Sequence, residues 1–304
     1  MIIWRLTRRM RAAECVTLAR VRAGFPRVAV VGHVEWVQFA RVDHVPRAGE
    51  VVHAGEPFEE PAGGGAVAAV QLARLAGEAL LVTALGDDDL GRRSVKRLSE
   101  LGVEVRSSTR EAPTRRAVTL LDDDGERTIT TFGQRLEPLG GDAEARWDAL
   151  EGLDAVYFTA GDEAALRAAR GASRVLVASP RARDALGHGV ELDALVLSGE
   201  DPIEREDAAR AQGEADMVVL TEGERGGSYR ARSEAGGTWA AVAPPGERVD
   251  AYGCGDSFAA GLTYALGAGL SMPDSLQVAA RCGAVCLTGR GPYERQLTGR
   301  DLRG

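Results

Sequence analysis

Apolar and polar residues change their period several times along this chain, and each change marks an element. Val28 to Val31 is a short unbroken apolar run closed by Gly32, the pattern of a strand buried on both faces. From Phe39 to Glu60 the pattern alternates, with Val42, Val45, Val51, Val52 and Phe58 among charged residues and a turn at Pro46-Arg47-Ala48-Gly49. That predicts a half-exposed hairpin. Pro61-Ala62-Gly63-Gly64-Gly65 then opens a run of small residues, Ala66 to Gly77, which predicts a helix able to pack close to a sheet. Leu80 to Leu85 reads as a strand, Gly86 to Gly91 as a loop, and a helix continues through Leu101-Gly102. A second exposed hairpin follows, from Ala117–Leu121 and Thr128–Phe132 around the turn Asp122-Asp123-Asp124-Gly125.

Strands recur at Ala155–Thr159, Val175–Ala178, Ala194–Leu197 and Met217–Thr221, separated by alanine-rich helical segments. This alternation predicts an α/β fold: a mostly parallel central sheet covered by helices, with the two hairpins as a small β lid. Two short β runs, Gly227–Ala231 and Thr238–Val242, precede two closing helices, Gly253–Ala268 and Pro273–Leu287. One domain is expected over residues 27–304, with lid segments at about 38–61 and 115–133. Ligands bind at the carboxyl ends of parallel strands, so the loops after Val31, Leu85, Thr159, Leu197 and Thr221 should share one rim.

The start of the first closing helix carries the chemistry. Gly253-Cys254-Gly255-Asp256 is a glycine turn feeding an apolar helix, whose free N–H groups and dipole favour a negative charge. An anion pocket with a carboxylate beside it suits transfer of a phosphoryl group to a hydroxyl. The plainer reading is a tight turn in which Asp256 only caps the helix.

Composition narrows the remaining choices. The 304 residues are 44% hydrophobic and 27% charged, ordinary for a globular protein, and the net charge of −8 argues against general nucleic-acid binding. No apolar run is long enough for a membrane span or a signal peptide. Cys15, Cys254, Cys282 and Cys286 show no metal-site spacing, which suits a reduced, cytoplasmic protein. Residues 1–26 stand apart: six arginines (Arg5, Arg8, Arg9, Arg11, Arg20, Arg22) face one acid, Glu14, and a poorly ordered extension is expected.

Five motifs in order now carry a resemblance. They are the Gly-Gly helix start near Gly64, Gly86-x-Asp88-x-x-Gly91, the hairpin end Gly125-Glu126-Arg127-Thr128, Thr221-x-Gly223-x-x-Gly226, and Asp250-x-x-Gly253-x-Gly255-Asp256. In this order and spacing the chain resembles the ribokinase-like (PfkB) carbohydrate kinases over about residues 27–291. The resemblance implies an ATP-dependent kinase with a core of about nine strands and a hydroxyl-bearing small-molecule acceptor. It puts the catalytic base on Asp256 and an anion hole on Gly253, Cys254 and Gly255. It puts nucleotide contacts on Thr221, Gly223, Gly226 and Ser198, and acceptor contacts at Gly64 and Gly65. Mg²⁺ and phosphate would be organised near Ser198, Glu200 and Asp201. Asp250 falls where some members hold a monovalent cation, or else it steadies a turn. A carboxylate at a helix N-terminus is expected to be a weak base, because the dipole favours its charged form.

The chain departs from the family on the acceptor side. The usual sugar-gripping aspartate and asparagine positions are Val37 and Val67, and another asparagine position is Glu35. One expectation is an acceptor with an apolar portion against Val37 and Val67, recognised by Glu35 or Trp36. The other is a shifted sugar site in which Glu35 serves only the local backbone. His33 could line that site or be a hydrogen-bonded structural histidine, and Arg127 could reach an anionic acceptor or face solvent. Besides a sugar kinase, a nucleoside kinase and a catalytically weak ligand-binding or regulatory protein remain open. A dinucleotide-dependent oxidoreductase would need Gly-x-Gly-x-x-Gly after the first strand, where Gly32 stands alone. Exposed lid edges predict a homodimer through the lids.

Overall fold

The computed structural model describes residues 24–303, apart from 124, 212 and 234. In chain order the strands are β1 (Val28–Val31), β2 (Glu35–Arg41), β3 (Gly55–Ala62), β4 (Ala79–Gly86), β5 (Val103–Arg110), β6 (Arg116–Leu121) and β7 (Arg127–Phe132). Then come β8 (Leu153–Phe158), β9 (Ser173–Ala178), β10 (Leu192–Ser198), β11 (Ala215–Thr221), β12 (Gly227–Ala231) and β13 (Gly237–Trp239). The helices are α1 (Gly64–Ala76), α2 (Asp89–Glu100), α3 (Glu163–Ala172), α4 (Pro202–Ala208), α5 (Cys254–Gly267) and α6 (Met272–Cys286).

Nine strands form the central sheet in the order β13-β12-β11-β10-β9-β8-β1-β4-β5, parallel from β11 to β5, with the antiparallel β12 and β13 at one edge. Side chains alternate across a strand, so β1 feeds two cores at once. Val28 and Val30 join the apolar cluster under α1, α5 and α6, while Ala29 and Val31 join the one under α3. Burial on both faces is why this strand reads as a continuous apolar run.

The two expected hairpins are parts of one sheet, in the order β3-β2-β6-β7, because β2 and β6 pair in parallel. Asp88 fixes the base of this lid: its carboxylate caps α2 through Gly91 N (2.7 Å) and accepts from Thr114 N (2.7 Å) and Thr114 Oγ1 (2.8 Å). Strand β5 was not expected. It is a half-exposed edge strand reading Val-Glu-Val-Arg-Ser-Ser-Thr-Arg, too polar to show an apolar period. The last expected β run, Thr238–Val242, shortens to Gly237–Trp239. Most of the Arg-rich segment, with Cys15, lies outside the described residues. Of its last residues, Pro26 is buried.

The glycine run before α1 has a steric cause. A Cβ on Gly32 would meet Gly65 Cα at 2.8 Å and Thr159 Cγ2 at 2.6 Å, and a Cβ on Gly65 would meet His33 O at 2.6 Å. The end of β1 and the start of α1 therefore touch backbone to backbone, closed by the bond from Gly65 N to His33 O (3.1 Å). A methyl group here must push two main chains apart, an overpacking cost of about 1–3 kcal/mol. Gly65→Ala is expected to lower Tm by several degrees, at about 2–4 °C per kcal/mol for a domain approaching this size. Gly55→Ala, whose Cβ meets nothing within 4 Å, should melt like the parent. Equal melting points for the two variants in a thermal scan would contradict this account.

Candidate active site

The carboxyl ends of β1, β8, β9, β10 and β11 deliver Gly32, Thr159, Ser179, Ser198 and Thr221 to one rim of the central sheet. Over this rim stands the N-terminus of α5. Its cap, Gly253, takes the left-handed conformation (φ 82°), and a Cβ there would meet Val67 Cγ1 of α1 at 2.9 Å. The first intrahelical bond is Ser257 N to Gly253 O (2.8 Å). Only a long contact from Cys254 N to Ala251 O (3.5 Å) precedes it, so the N–H groups of Gly255 and Asp256 remain available to an anion.

Asp256 projects from this turn toward the glycine run. Its Oδ1 lies 3.0 Å from where a Cβ on Gly64 would be, with Thr159 Oγ1 at 3.3 Å and His33 Cε1 at 3.6 Å from the same point. No described residue hydrogen-bonds the Asp256 carboxylate, so its role is not that of a helix cap. Burial raises its pKa above the ordinary carboxylate range, Glu204 adds to the rise, and Arg181 and Arg127 oppose it. The weak base expected from the dipole is thus corrected in direction, because desolvation outweighs the local stabilisation of the charge.

On one side of Asp256 lies a cavity of about 600 Å³, lined among others by Thr221, Gly223, Gly226, Trp239, Cys254 and Phe258. Trp239 stacks on Phe258 with ring centroids 5.7 Å apart, making a flat apolar wall. Gly255 and Glu200 also line this cavity, so the expected nucleotide residues and much of the anion hole share one space. Arg127 lines it too, on the opposite side from the acceptor it was considered for. Cys254 is no nucleophile: a hydrogen bond with Cys286 and burial hold its thiol well above the usual pKa.

Ser198 Oγ accepts from Glu200 N (3.2 Å), Glu200 pairs with Arg225 (3.3 Å), and Asp201 Oδ1 caps α4 through Ile203 N (2.9 Å) and Glu204 N (3.3 Å). Among the described residues no three acidic, histidine or cysteine side chains cluster as a metal cage. That still fits magnesium carried on a nucleotide, which keeps its waters and takes one or two carboxylates plus phosphate oxygens. Asp250 is fully buried, with Oδ1 accepting from Tyr252 N and Oδ2 from Gly291 N, both at 2.8 Å. This is the geometry of a turn-steadying aspartate.

On the other side lies the Gly63–Gly65 turn, with His33 and Glu35 packed against Gly63. Val37 and Val67 do not line an open pocket. Both are fully buried in the main core, one on the inner face of β2 and one in α1 beneath Gly253, which corrects the apolar lining expected from sequence. His33 is 5% exposed with Nδ1 unpaired, so it is not a hydrogen-bonded structural histidine. Burial, with Arg135, Arg181 and Arg115 nearby, holds its pKa well below the ordinary value, and the ring is neutral. Glu35 is raised by burial and faces Arg115 across 3.5 Å. Sequence reasoning passed over Arg181 and Glu204, which belong to no motif. Arg181 Nε donates to Glu204 Oε1 and Ser198 N to Glu204 Oε2, both at 2.8 Å.

The family described as pfkB family carbohydrate kinase matches residues 26–187 and 190–298. The chain belongs to this family. A fructokinase of Klebsiella pneumoniae is 28% identical over 287 residues, 80% of this chain and 92% of that protein. A ribokinase of Dictyostelium discoideum is 31% identical over 108 residues, so the matched stretch is 35% of this chain and about a third (34%) of the relative. A ribokinase from Arabidopsis thaliana, solved with ribose and ATP, superposes with a TM-score of 0.69 over 91% of this chain and 97% of its own, at 19% identity. That last likeness speaks for the fold. No helix among the described residues is long and apolar enough to cross a membrane.

The raised carboxylate has a stability consequence with a definite sign. Asp256 holds its proton more tightly folded than unfolded, so its contribution is most favourable below the unfolded pKa and is lost as pH rises through the folded one. Asp256→Asn removes the cost of the buried charge. The variant should melt above the parent at neutral pH and converge with it toward about pH 4, near the unperturbed carboxylate value. Thermal melts across that range check this, and a parent at least as stable as the variant at neutral pH would contradict it.

Proposed function

We propose that this protein transfers the γ-phosphoryl group of ATP to a hydroxyl of a sugar or sugar-like acceptor, with Asp256 as the base. One observation carries the reading: the Asp256 carboxylate, unpaired and raised by burial, stands between the cavity under Trp239 and the Gly63–Gly65 turn, beside the open end of α5. ATP in the cavity would bring its terminal phosphate to the free N–H groups of Gly255 and Asp256. An acceptor on the glycine turn would bring a hydroxyl to Asp256 Oδ1 from the opposite side.

Such a transfer asks the protein mainly for alignment and charge stabilisation. The N–H groups of α5 supply donors for the developing charge on the moving phosphoryl, and deleting one such donor typically costs about 10²–10³ in rate. Asp256, with its raised pKa, takes the hydroxyl proton as the new P–O bond forms. Thr221, Gly223 and Gly226 border the nucleotide, with Ser198 at the phosphate end. Glu200 and the uncapped oxygen of Asp201 would hold the Mg²⁺ that neutralises the phosphates when bound. A monovalent cation would act behind Asp250, whose two oxygens already steady the turn before α5. The nucleoside-kinase reading and the regulatory one have less support, since the apolar acceptor wall is absent and the α5 start is intact. Unbridged thiols at Cys254, Cys282 and Cys286 suit the cytoplasm.

Asp256→Asn is expected to lower turnover by about 10²–10⁴, the usual worth of a general base, with the ATP KM nearly unchanged. Coupled ATP-consumption assays over sugars, sugar acids and sugar phosphates measure this, and retention of more than about a tenth of kcat would remove Asp256 from the role. Strand β7 is exposed along its whole length, including Ile129 and Phe132, and a lid-to-lid homodimer would cover it. Sedimentation as a monomer at micromolar concentration would exclude that dimer.

A further inference from the structure

Four buried polar atoms without a hydrogen-bond partner gather around the acceptor side of Asp256: His33 Nδ1, Glu35 Oε2, Arg115 Nε and Thr159 Oγ1. His33 and Glu35 abut Gly63, Thr159 abuts Gly64, and Glu35 Oε2 faces Arg115 Nε at 3.5 Å. Glu35 Oε2 and Arg115 Nε are ion-paired with each other, while His33 Nδ1 and Thr159 Oγ1 have no partner; buried polar atoms are seldom left so, and these two beside one turn point to a ligand that completes them.

The charge in this place is unusual for a site that takes neutral polyols. Arg115, Arg135 and Arg181 all lie close enough to act on His33 and on Glu35. Arg181 is the best defined. Its Nε is anchored to Glu204 Oε1 (2.8 Å), and Glu204 Oε2 is anchored in turn to the main chain at Ser198 N (2.8 Å). The Nη1 and Nη2 edge of Arg181 therefore has a fixed direction, has no protein partner among the described residues, and belongs to a side chain 44% exposed in the cleft. Arg135 Nη2 donates to the main-chain oxygen of Arg181 (2.9 Å), which ties a second arginine to the same turn. Arg115 Nη2 donates to Thr131 Oγ1 (2.7 Å) on the lid strand β7. Acids do face these groups, Glu137 at Arg135, Glu35 at Arg115 and both Asp256 and Glu204 at Arg181, but Asp256 acts on Arg181 by charge alone and Glu204 bonds only its Nε edge. A guanidinium held by one edge presents a planar pair of donors matched to a carboxylate or phosphate.

We propose that the acceptor carries an anionic group, a carboxylate or a phosphate ester, bound by the Nη1 and Nη2 donors of Arg181 with Arg115 and Arg135 beside it. The proposal rests on the kinase reading for the place of the reacting hydroxyl at Asp256. His33, neutral and unpaired, and Thr159 are left to take the remaining hydroxyls.

The test compares two matched pairs of probes with the full chain: D-gluconate against D-glucose, and D-fructose 6-phosphate against D-fructose. At least one anionic probe should support ATP consumption with kcat/KM about tenfold or more above its neutral partner, and which pair responds tells carboxylate from phosphate. Arg181→Gln removes a charge that opposes the raised Asp256 pKa and so is expected to change kcat on both members of a pair alike, while KM should rise about tenfold or more for the anionic probe only; Arg181→Lys should give a smaller rise in that KM, keeping the charge without the paired donors. A neutral sugar as the preferred acceptor overturns the proposal. So does an Arg181→Gln change in KM equal on both members of a pair, for then the arginine only tunes Asp256. A thermal-shift arm needs no turnover: an anionic probe should raise the Tm of the parent and not that of Arg181→Gln. No shift with either anion overturns the anion site even if neutral sugars are phosphorylated. A shift without ATP consumption above the Asp256→Asn blank, for every acceptor, overturns the kinase reading instead.

Discussion

Two main chains meet across Gly32 and Gly65 with no room for a side chain on either, and the geometry proposed for catalysis is built outward from that contact. It fixes the start of α1 against the end of β1. Val67, one turn into α1, then lies under Gly253 and sets the height at which α5 begins. Asp256 is the third residue of α5, so its distance from the Gly64 backbone is a property of two helix starts and one strand end. Phosphoryl transfer tolerates little misplacement, since an error of about 1 Å at such a centre can cost on the order of 10² in rate. Backbone contacts between rigid elements hold such tolerances better than side chains on loops do.

The same packing sets the electrostatics. Placing Asp256 against Gly64 and Thr159 shields it in part from water, and this desolvation raises its pKa despite the helix end beside it. A carboxylate held in this state costs stability at neutral pH and gains basicity, the usual conflict between folding and function at an active site. Arg181 and Glu204 moderate the conflict from below. Glu204 makes the protonated form of Asp256 easier, Arg181 makes the charged form easier, and the two are bonded to each other. The carboxylate proposed as the base is therefore tuned by a pair from the segments that follow neighbouring strands, Arg181 after β9 and Glu204 in α4 after β10.

What the sequence revealed and what it hid follow from the range of the forces involved. Gly253 and the Gly63–Gly65 run were legible because a left-handed cap and a backbone contact each demand a residue without a Cβ, and that demand is local. The parallel strands were legible because burial on both faces leaves unbroken apolar runs, as in β1. Strand β5 was not, since an edge strand half open to water need not be apolar. Val37 and Val67 were read as pocket walls because their place in a motif says nothing of which way a side chain faces. Arg181 and Glu204 stand 23 residues apart in no shared pattern, and only the pairing of β9 with β10 makes them neighbours. The acidity of Asp256 was misjudged for the same reason: the helix dipole is written in the local sequence, and desolvation is not.

That difference in range also explains how the two halves of the cleft can diverge. On the proposed reading the nucleotide half depends on backbone donors, glycines and the Trp239–Phe258 wall, which ask for few particular side chains beyond Asp256. The acceptor half is built from side chains on β2, the base of β6, and the turns after β9 and β10. Placing Glu35 opposite Arg115 there leaves the Gly32–Gly65 contact and the start of α5 untouched. A change of acceptor charge therefore need not disturb the alignment of phosphate, base and hydroxyl. The contact that fixes the chemistry is the one that leaves the acceptor side free to change.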